Sequence, residues 1–462
     1  VVGVVPAVVV AAPSSGCGKT TVATGLAGAL RQAGHRVAPF KVGPDFIDPG
    51  YHALAAGRPG RNLDPVLVSE QRIGPLYRHG CAGADIAVVE GVMGLFDGRI
   101  DPGSVTPAVG STAHVASLLR APVVLVVDAS GHSQSIAALL HGFSTFDSRT
   151  RIGGVILNRV GSPRHEEVLR QACDVVGLPV LGAIPRATEL VVPSRHLGLV
   201  TAVEHGRQAT TAVDAMTTLV AKHVDLAAIV ALADADVPCA PWDPVTEVGG
   251  PVPGRPVVAI AAGRAFSFSY AEHGELLRAA GADVVEFDPT TEGLPDGAEA
   301  LILPGGFPEQ YLTELSSNVA AHQQIRDLAD RAPIFAECAG LTYLMDQLDE
   351  HAMCGVFRGT ARFTKRLTLG YRDAVAASAS PLYDVGERTV GHEFHRTTVE
   401  FAATYPQAWA FRVGDRTVLD GAVRDKVHAA YLHTHPAGHP TSVRRFVASA
   451  TVPAVAPASP AR

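Results

Sequence analysis

The sequence offers no cysteine pair that reads as a disulfide or a zinc site. Its six cysteines (Cys17, Cys81, Cys173, Cys239, Cys338 and Cys354) are scattered without CxxC spacing, the usage expected of reduced thiols in a cytoplasmic enzyme. No apolar run reaches the roughly 18 uninterrupted residues of a membrane span. The opening residues lack the basic segment, apolar stretch and cleavage site of a secretory signal. Positive charge is not in excess either: 38 Lys and Arg against 45 Asp and Glu leave a net −7. That balance argues against a nucleic-acid partner, which calls for a basic face. It does not exclude a small anionic substrate, because local charge decides that. No short repeat is visible, and the two halves are not copies of each other.

What is present is a long globular chain. Its 462 residues, 47% hydrophobic and 18% charged, exceed one core; about 150 residues per domain allows three domains or two large α/β ones. In the first half, strands are predicted at Ala7–Ala12, Arg36–Val42, Ile86–Glu90, Pro122–Asp128, Gly153–Asn158 and Pro179–Ile184, with a helix over Thr20–Ala33 that Gly34 ends. Strands separated by helix-length segments build right-handed βαβ units and a mostly parallel sheet. The stretch Asp234–Pro256, rich in Pro, Gly and Asp and without a period, reads as a linker. A second α/β series follows at Val257–Ala262, Val284–Phe287, Ala300–Pro304, Ile334–Glu337 and Val427–His433. The expected organisation is one α/β domain over 1–235, a linker over 236–256, a second α/β domain over 257–451, and a Pro- and Ala-rich tail over 452–462 expected to be disordered.

Two chemical signatures lie far apart on this frame. The first follows the opening strand: Pro13, Ser14, Ser15, Gly16, Cys17, Gly18, Lys19, Thr20 and Thr21 fit the end of the pattern G-x-x-x-x-G-K-[ST], with Pro13 in place of its first glycine. Backbone N–H groups of residues 15–19 and the helix start can still surround phosphate oxygens. Lys19 would neutralise the β and γ phosphates, and Thr20 would reach Mg²⁺. Ser15, Gly16, Cys17, Gly18, Lys19, Thr20 and Thr21 are therefore the candidate ATP-binding residues. Acids follow the next strands: Asp45 and Asp48 after the second, Glu90 closing the third, and Asp97 just beyond it. One such acid alone is ordinarily a turn or a helix cap. Their shared place at the carboxyl ends of successive strands, where ligands bind in such sheets, makes them site candidates. Thr20, Asp48 and Glu90 are candidates for the metal, Asp45 and Asp97 for the substrate region beside the phosphates.

The second signature is Cys338, at the end of an apolar strand and the start of a helix predicted over Ala339–Leu348. A helix N-terminus favours the thiolate. The Gly-rich loop Leu303–Glu309 follows another strand. Gly305, Gly306 and Ala339 supply candidate oxyanion-hole N–H groups. A late strand ends at His433, with His435 two residues on. A cysteine and a histidine brought together by the fold suit acyl transfer through a thioester.

The segments SSGCGKTT (Ser14–Thr21), KVGPDFIDPGYH (Lys41–His52), VVEGVMGLFDG (Val88–Gly98), PGGFPEQY (Pro304–Tyr311), FAECAGLTYL (Phe335–Leu344), GHEFH (Gly391–His395) and YLHTH (Tyr431–His435) together resemble the a,c-diamide synthases of corrin biosynthesis, across almost the whole chain. The resemblance implies a phosphate-loop, dethiobiotin-synthetase-like ATP domain with a parallel sheet, joined to a class I glutamine amidotransferase domain of flavodoxin-like fold. It implies that ATP activates the a and c acetate carboxylates of a corrin as acyl phosphates, and that ammonia from glutamine attacks them, with Mg²⁺ as cofactor. Catalytic residues would be Cys338 and His433, with His435 a rival. Many class I amidotransferases carry a Glu two residues after the histidine; His435 stands there, so the triad is incomplete. GHEFH falls either near the thiol site or at an interface. A corrin partner is implied, membrane and nucleic acid are not, and a homodimer is left open.

Three other readings compete. Cobyric acid synthase amidates four other side chains, and another tetrapyrrole a,c-diamide synthase would differ in substrate. A ParA-like nucleotide switch would not need Cys338. Between metal-free hydrogenobyrinate and cobalt-containing cobyrinate, the Ala- and Arg-rich composition, resembling that of aerobic high-GC bacteria, leans toward the former.

Overall fold

Alanine and valine alone make up the first strand, β1 (Ala7–Ala11), and all five residues are buried, as a strand covered on both faces requires. The computed structural model describes residues 3–100, 107–186, 194–195, 198–199 and 201–451, so the tail expected to be disordered lies outside the described residues. The chain divides into two units, Val1–Trp242 and Asp243–Arg462. Among the described residues, no helix is long and apolar enough to cross a membrane.

The first unit is built on a parallel sheet of seven strands. With β2 (Val37–Val42), β3 (Arg61–Leu63), β4 (Ile86–Glu90), β5 (Val123–Asp128), β6 (Ile152–Val160) and β7 (Val180–Pro185), the order is β3-β2-β4-β1-β5-β6-β7. The predicted strands hold to within one or two residues at each end; β3 is an addition. Because β2, β4 and β1 are neighbours, the loops leaving their carboxyl ends emerge side by side. That is how residues 13–19, 43–48 and 91–97, distant in sequence, share one place. A two-residue pair, β8 (Ser194–Arg195) with β9 (Gly198–Leu199), is antiparallel.

The helix after the phosphate loop, α1 (Lys19–Gln32), has Gly18 as its N-cap at φ 99, with no side-chain cap and no acid in its first turn. Its first N–H groups are thus left for an anion. Farther along, α1 lies tight against the helix Arg207–His223. A Cβ on Gly25 would fall 2.4 Å from the Met216 carbonyl, and one on Gly28 would fall 2.1 Å from Thr217 Oγ1.

The stretch expected as a linker carries defined structure. Ala7 and Asp234 exchange backbone hydrogen bonds of 3.3 and 3.0 Å, and Trp242 is buried with its ring edge on His79. From Asp243 the chain belongs to the second unit, where the Asp243 carboxylate caps a short helix, Pro244–Val248.

The second unit holds two sheets. The first, ordered β11-β10-β12-β13-β21-β20, contains β10 (Val257–Ala261), β11 (Asp283–Phe287), β12 (Ala298–Leu303), β13 (Ile334–Glu337), β20 (Ala422–Arg424) and β21 (Val427–Ala430); only the β20–β21 pair is antiparallel. The second sheet does not appear among the sequence expectations. It runs β15-β14-β16-β17-β22 through β14 (Met345–Leu348), β15 (His351–Ala352), β16 (Phe357–Ala376), β17 (Arg388–Phe401) and β22 (His433–Thr434), with β18 (Trp409–Val413) on β16 and β19 (Arg416–Asp420) on β18.

Two predicted elements are corrected. The late strand Val427–His433 is not continuous: β21 ends at Ala430, and His433 opens β22 in the other sheet. The Asp420 carboxylate makes the break by accepting the N–H groups of Tyr431 and Leu432 at 3.1–3.2 Å. The helix predicted over Ala339–Leu348 ends at Leu344, and its last four residues are β14, paired with β16.

Candidate functional site

Each unit carries a candidate centre at the carboxyl edge of its parallel sheet. In the first, Lys19 is buried and its Nζ donates to the carbonyls of Met93 and, at 3.2 Å, Ser14. Burial first, then the nearby Lys41, lowers its pKa. Asn158, near the carboxyl end of β6, donates to the Cys17 carbonyl at 2.8 Å. A Cβ on Gly18 would fall 2.3 Å from the same Asn158 amide, so only glycine suits that turn, on steric as well as conformational grounds.

The predicted metal-binding side chains do converge. Thr20 Oγ1 donates to Glu90 Oε1 at 2.6 Å and lies 3.3 Å from Asp48 Oδ2. Two residues the sequence reading did not single out complete the cluster. Lys41 Nζ sits 2.7 Å from Asp48 Oδ2 and 2.9 Å from Glu90 Oε1, and His52 Nε2 sits 2.6 Å from Glu90 Oε2. A lysine near the end of a fully buried strand was the available signal, since a buried ammonium needs a counter-ion. Burial alone would raise the Glu90 pKa, but Lys41, His52 and Thr20 outweigh it and hold the carboxyl at about 2. Burial and the neighbouring Asp45 push Asp48 up, while Lys41 pulls it back.

Asp45 and Asp97 have different surroundings. Asp45 Oδ1 accepts the N–H groups of Ile47 (2.7 Å) and Asp48 (2.9 Å), opening α2 (Asp48–Ala56). Asn62 Nδ2 ties down the carbonyls of Gly43 and Asp45. Asp97 Oδ2 accepts Gly94 N–H at 2.9 Å and shapes the loop whose Met93 carbonyl receives Lys19. Both acids thus hold the loop backbone that surrounds the cluster.

Among the described residues, no group of three or more His, Cys, Asp and Glu side chains forms a protein-only metal cage. The convergent donors Thr20, Asp48 and Glu90 are all oxygens. That set fits Mg²⁺, which keeps waters and takes phosphate oxygens beside one or two carboxylates.

In the second unit, Cys338 turns the chain from β13 into the helix Ala339–Leu344 at φ 49, ψ −99. A non-glycine residue there is strained, as at the strand-to-helix elbows that expose nucleophiles. The turn is fixed by Cys338 N–H on the Ala430 carbonyl at 2.8 Å. It also needs Gly340, whose Cβ would fall 2.1 Å from the Leu303 carbonyl. The helix start that favours the thiolate is opposed here. Burial, then the charge of Glu309, pushes the Cys338 thiol well up against the favourable Ala339 N–H. The helix has only six residues, and its N-terminal effect loses to desolvation.

The β21–β22 break brings His433 to this elbow. It is buried, and its ring lies against the Gly305 loop: a Cβ on Gly305 would fall 2.3 Å from His433 Cε1. Burial lowers its pKa to about 3. Gly306 packs just as tightly, its Cβ position 2.1 Å from the Ala265 carbonyl. His435 occupies other surroundings. Its Nδ1 accepts Ala437 N–H at 3.2 Å, and its ring lies 4.0 Å from that of Tyr270. GHEFH lies on β17 beside β22, with His392 opposite His433 and the Phe394 carbonyl 3.8 Å from Cys338 Sγ. Of the two places left open for this segment, the structure puts it at the thiol centre. There Glu393 pairs with Arg372 at 2.6 Å, and His395 stacks on Tyr431 at 3.8 Å.

Comparison with known proteins finds a nucleotide-binding domain and a glutamine amidotransferase domain on this chain. Residues 8–200 match the family profile described as "CobQ/CobB/MinD/ParA nucleotide binding domain", and residues 257–441 match "CobB/CobQ-like glutamine amidotransferase domain". A protein of Mycobacterium tuberculosis named hydrogenobyrinate a,c-diamide synthase is 68% identical over 96% of this chain and 98% of its own length. One of the same name from Streptomyces coelicolor is 54% identical over 96% and 97%. One from a Synechococcus species, named cobyrinate a,c-diamide synthase, is 39% identical over 96% and 97%.

Proposed function

For a chain that belongs to the a,c-diamide synthase family of glutamine-dependent carbon–nitrogen ligases, we propose that the substrate is hydrogenobyrinate, amidated at its a and c acetates in cobalamin biosynthesis. One observation carries this reading: a phosphate loop with the Thr20–Asp48–Glu90 cluster and a strained Cys338 elbow beside His433 occur on one chain. ATP activation of a carboxylate and release of ammonia from glutamine each need one of them. The metal-free substrate is supported by relatives named for it at 47–68% identity, against 39–41% for those named for cobyrinate.

In the ligase step, N–H groups at the start of α1 and the Lys19 ammonium hold the β and γ phosphates. Lys19 neutralises charge as the phosphoryl group passes to a corrin carboxylate oxygen. Asp45 and Asp97 keep the two flanking loops in place around the acyl phosphate. Thr20, Asp48 and Glu90 would hold Mg²⁺, which when bound supplies charge stabilisation at the phosphates. In the glutaminase step, His433 takes the Cys338 proton, and the thiolate attacks the glutamine amide carbon. Gly305, Gly306 and Ala339 N–H groups face the developing oxyanion.

Glu90→Gln should reduce synthesis by roughly 100-fold with glutamine and with ammonia alike, because a ligand of the cation and the partner of Lys41 loses its charge. Glutaminase activity should stay within about twofold. An unchanged rate at limiting Mg²⁺ would remove Glu90 from the metal shell. The substrate is tested by mass spectrometry of corrin acids incubated with the protein, ATP, Mg²⁺ and glutamine. Hydrogenobyrinate should gain two amides and cobyrinate react more slowly. A gain of four amides would indicate a cobyric acid synthase, and faster turnover of cobyrinate would reverse the metal assignment.

A further inference from the structure

We propose that Glu337, the residue before the nucleophile, is the carboxylate that positions His433, so that this amidotransferase completes its triad from β13 instead of from the strand of the histidine. The position two residues after His433 holds His435, which has no carboxylate. Glu337 Oε2 lies 3.9 Å from His433 Nδ1, and both side chains are buried. The other oxygen is fixed: Oε1 accepts the Thr434 N–H at 2.8 Å and the Thr434 hydroxyl at 2.9 Å. Since Thr434 follows His433 directly, the carboxyl is keyed to the histidine's own strand, and Oε2 is the oxygen turned to the imidazole.

Two of the other carboxylates nearby are committed elsewhere. His433 feels His392 and His395 from β17. Cys338 feels Glu309, Glu337 and Asp420. Asp420 is engaged by the Tyr431 and Leu432 N–H groups, and Glu393 by Arg372. Glu337 is the carboxylate placed beside Nδ1.

The chemistry gives it a definite task. When the 3.9 Å approach closes to hydrogen-bond length, an ionised Glu337 accepts the Nδ1–H, which leaves Nε2 with a free lone pair. The thiol proton passes from Sγ to Nε2, and the thiolate forms a bond to the glutamine amide carbon. As the C–N bond breaks, the proton on Nε2 goes to the departing nitrogen and ammonia leaves. Water then cleaves the thioester to glutamate and restores the thiol. Burial, opposed by the Thr434 bonds, raises Glu337 to about 8. Its ionised form is therefore gained as the pH rises through that value, and the glutamine-dependent rate should climb on the same limb.

This inference rests on Cys338 and His433 being the glutaminase centre. In Glu337→Gln the amide oxygen can still accept from Thr434, but an NH₂ then faces Nδ1 and imposes the wrong tautomer. Glutamine-dependent synthesis and glutaminase activity should fall by roughly 100-fold or more, the limb near pH 8 should vanish, and ammonia-dependent synthesis should persist. A folded Glu337→Gln that keeps the rate and the limb overturns the proposal. If that variant does not fold, Thr434→Val decides. It removes one bond that lowers the Glu337 pKa while keeping the backbone N–H, so the limb must move to higher pH; a limb that stays put overturns the proposal. Loss of glutamine use in Cys338→Ala with none in Glu337→Gln sinks this inference alone. Glutamine use surviving in Cys338→Ala sinks the assignment of the centre itself.

Discussion

Cys338→Ala is expected to abolish glutamine-dependent synthesis and glutaminase activity while leaving synthesis from ammonium salts near that of the parent at raised pH, where free NH₃ is present. The thiol is the atom that bonds to the glutamine carbon, so no residual nucleophile replaces it. The phosphoryl chemistry around Lys19 uses none of the elbow. His433→Ala should show the same pattern less completely. The strain at φ 49 and the Ala339 N–H that favours the thiolate both remain, although burial opposes the charged form. Two assays on one preparation check this: ammonia release from glutamine, and amide formation from ammonium chloride. Glutamine use by Cys338→Ala would show the thiol to be misassigned. Loss of both activities in a folded variant would end the division of labour between the two centres.

Lys19→Ala is expected to give the complementary result: no synthesis with either nitrogen donor, and glutaminase activity retained. Removing a preorganised cation from a transferring phosphoryl group costs roughly 1,000-fold or more, about 4 kcal/mol. The ammonium is already aimed by the Ser14 and Met93 carbonyls, so little reorganisation is needed when phosphate arrives. The measurement is corrin amide formation followed by mass spectrometry, with a thermal melt to confirm the fold. Near-normal synthesis would rule out this nucleotide site.

Much of the first centre was legible because its signals are local. A strand of Ala and Val, a Gly-rich loop and a strong helix follow one another within residues 7–32, and parallel topology then forces the ends of β2 and β4 alongside. The counter-ions were only half legible: a buried Lys41 announced that it needed an acid, but its meeting with Glu90 depends on the β2–β4 pairing, and His52 reaches Glu90 from α2. At the second centre the elbow was readable from an apolar run meeting Cys338. The sheet of β14 to β19 was not, because much of β16 and β17 is only partly buried. With neither face reliably apolar, the two-residue alternation that betrays a strand fades. Glu337 stands within the segment FAECAGLTYL, yet a strand-ending acid shows no partner in sequence until the chain has folded back at Asp420.

That fold-back places nucleophile and base on different foundations. Cys338 is carried by the parallel sheet, through β13. His433 is carried by the second, mixed sheet, as the antiparallel partner of His392 on β17. The residues that join them, Tyr431 and Leu432, are pinned by one carboxylate. The alignment of the reacting groups is therefore a gauge of how the two sheets are seated on each other. An ångström of slip is enough to cost about 100-fold in such chemistry. Side chains deep in either core, with no contact to glutamine, thus share in setting its rate of hydrolysis.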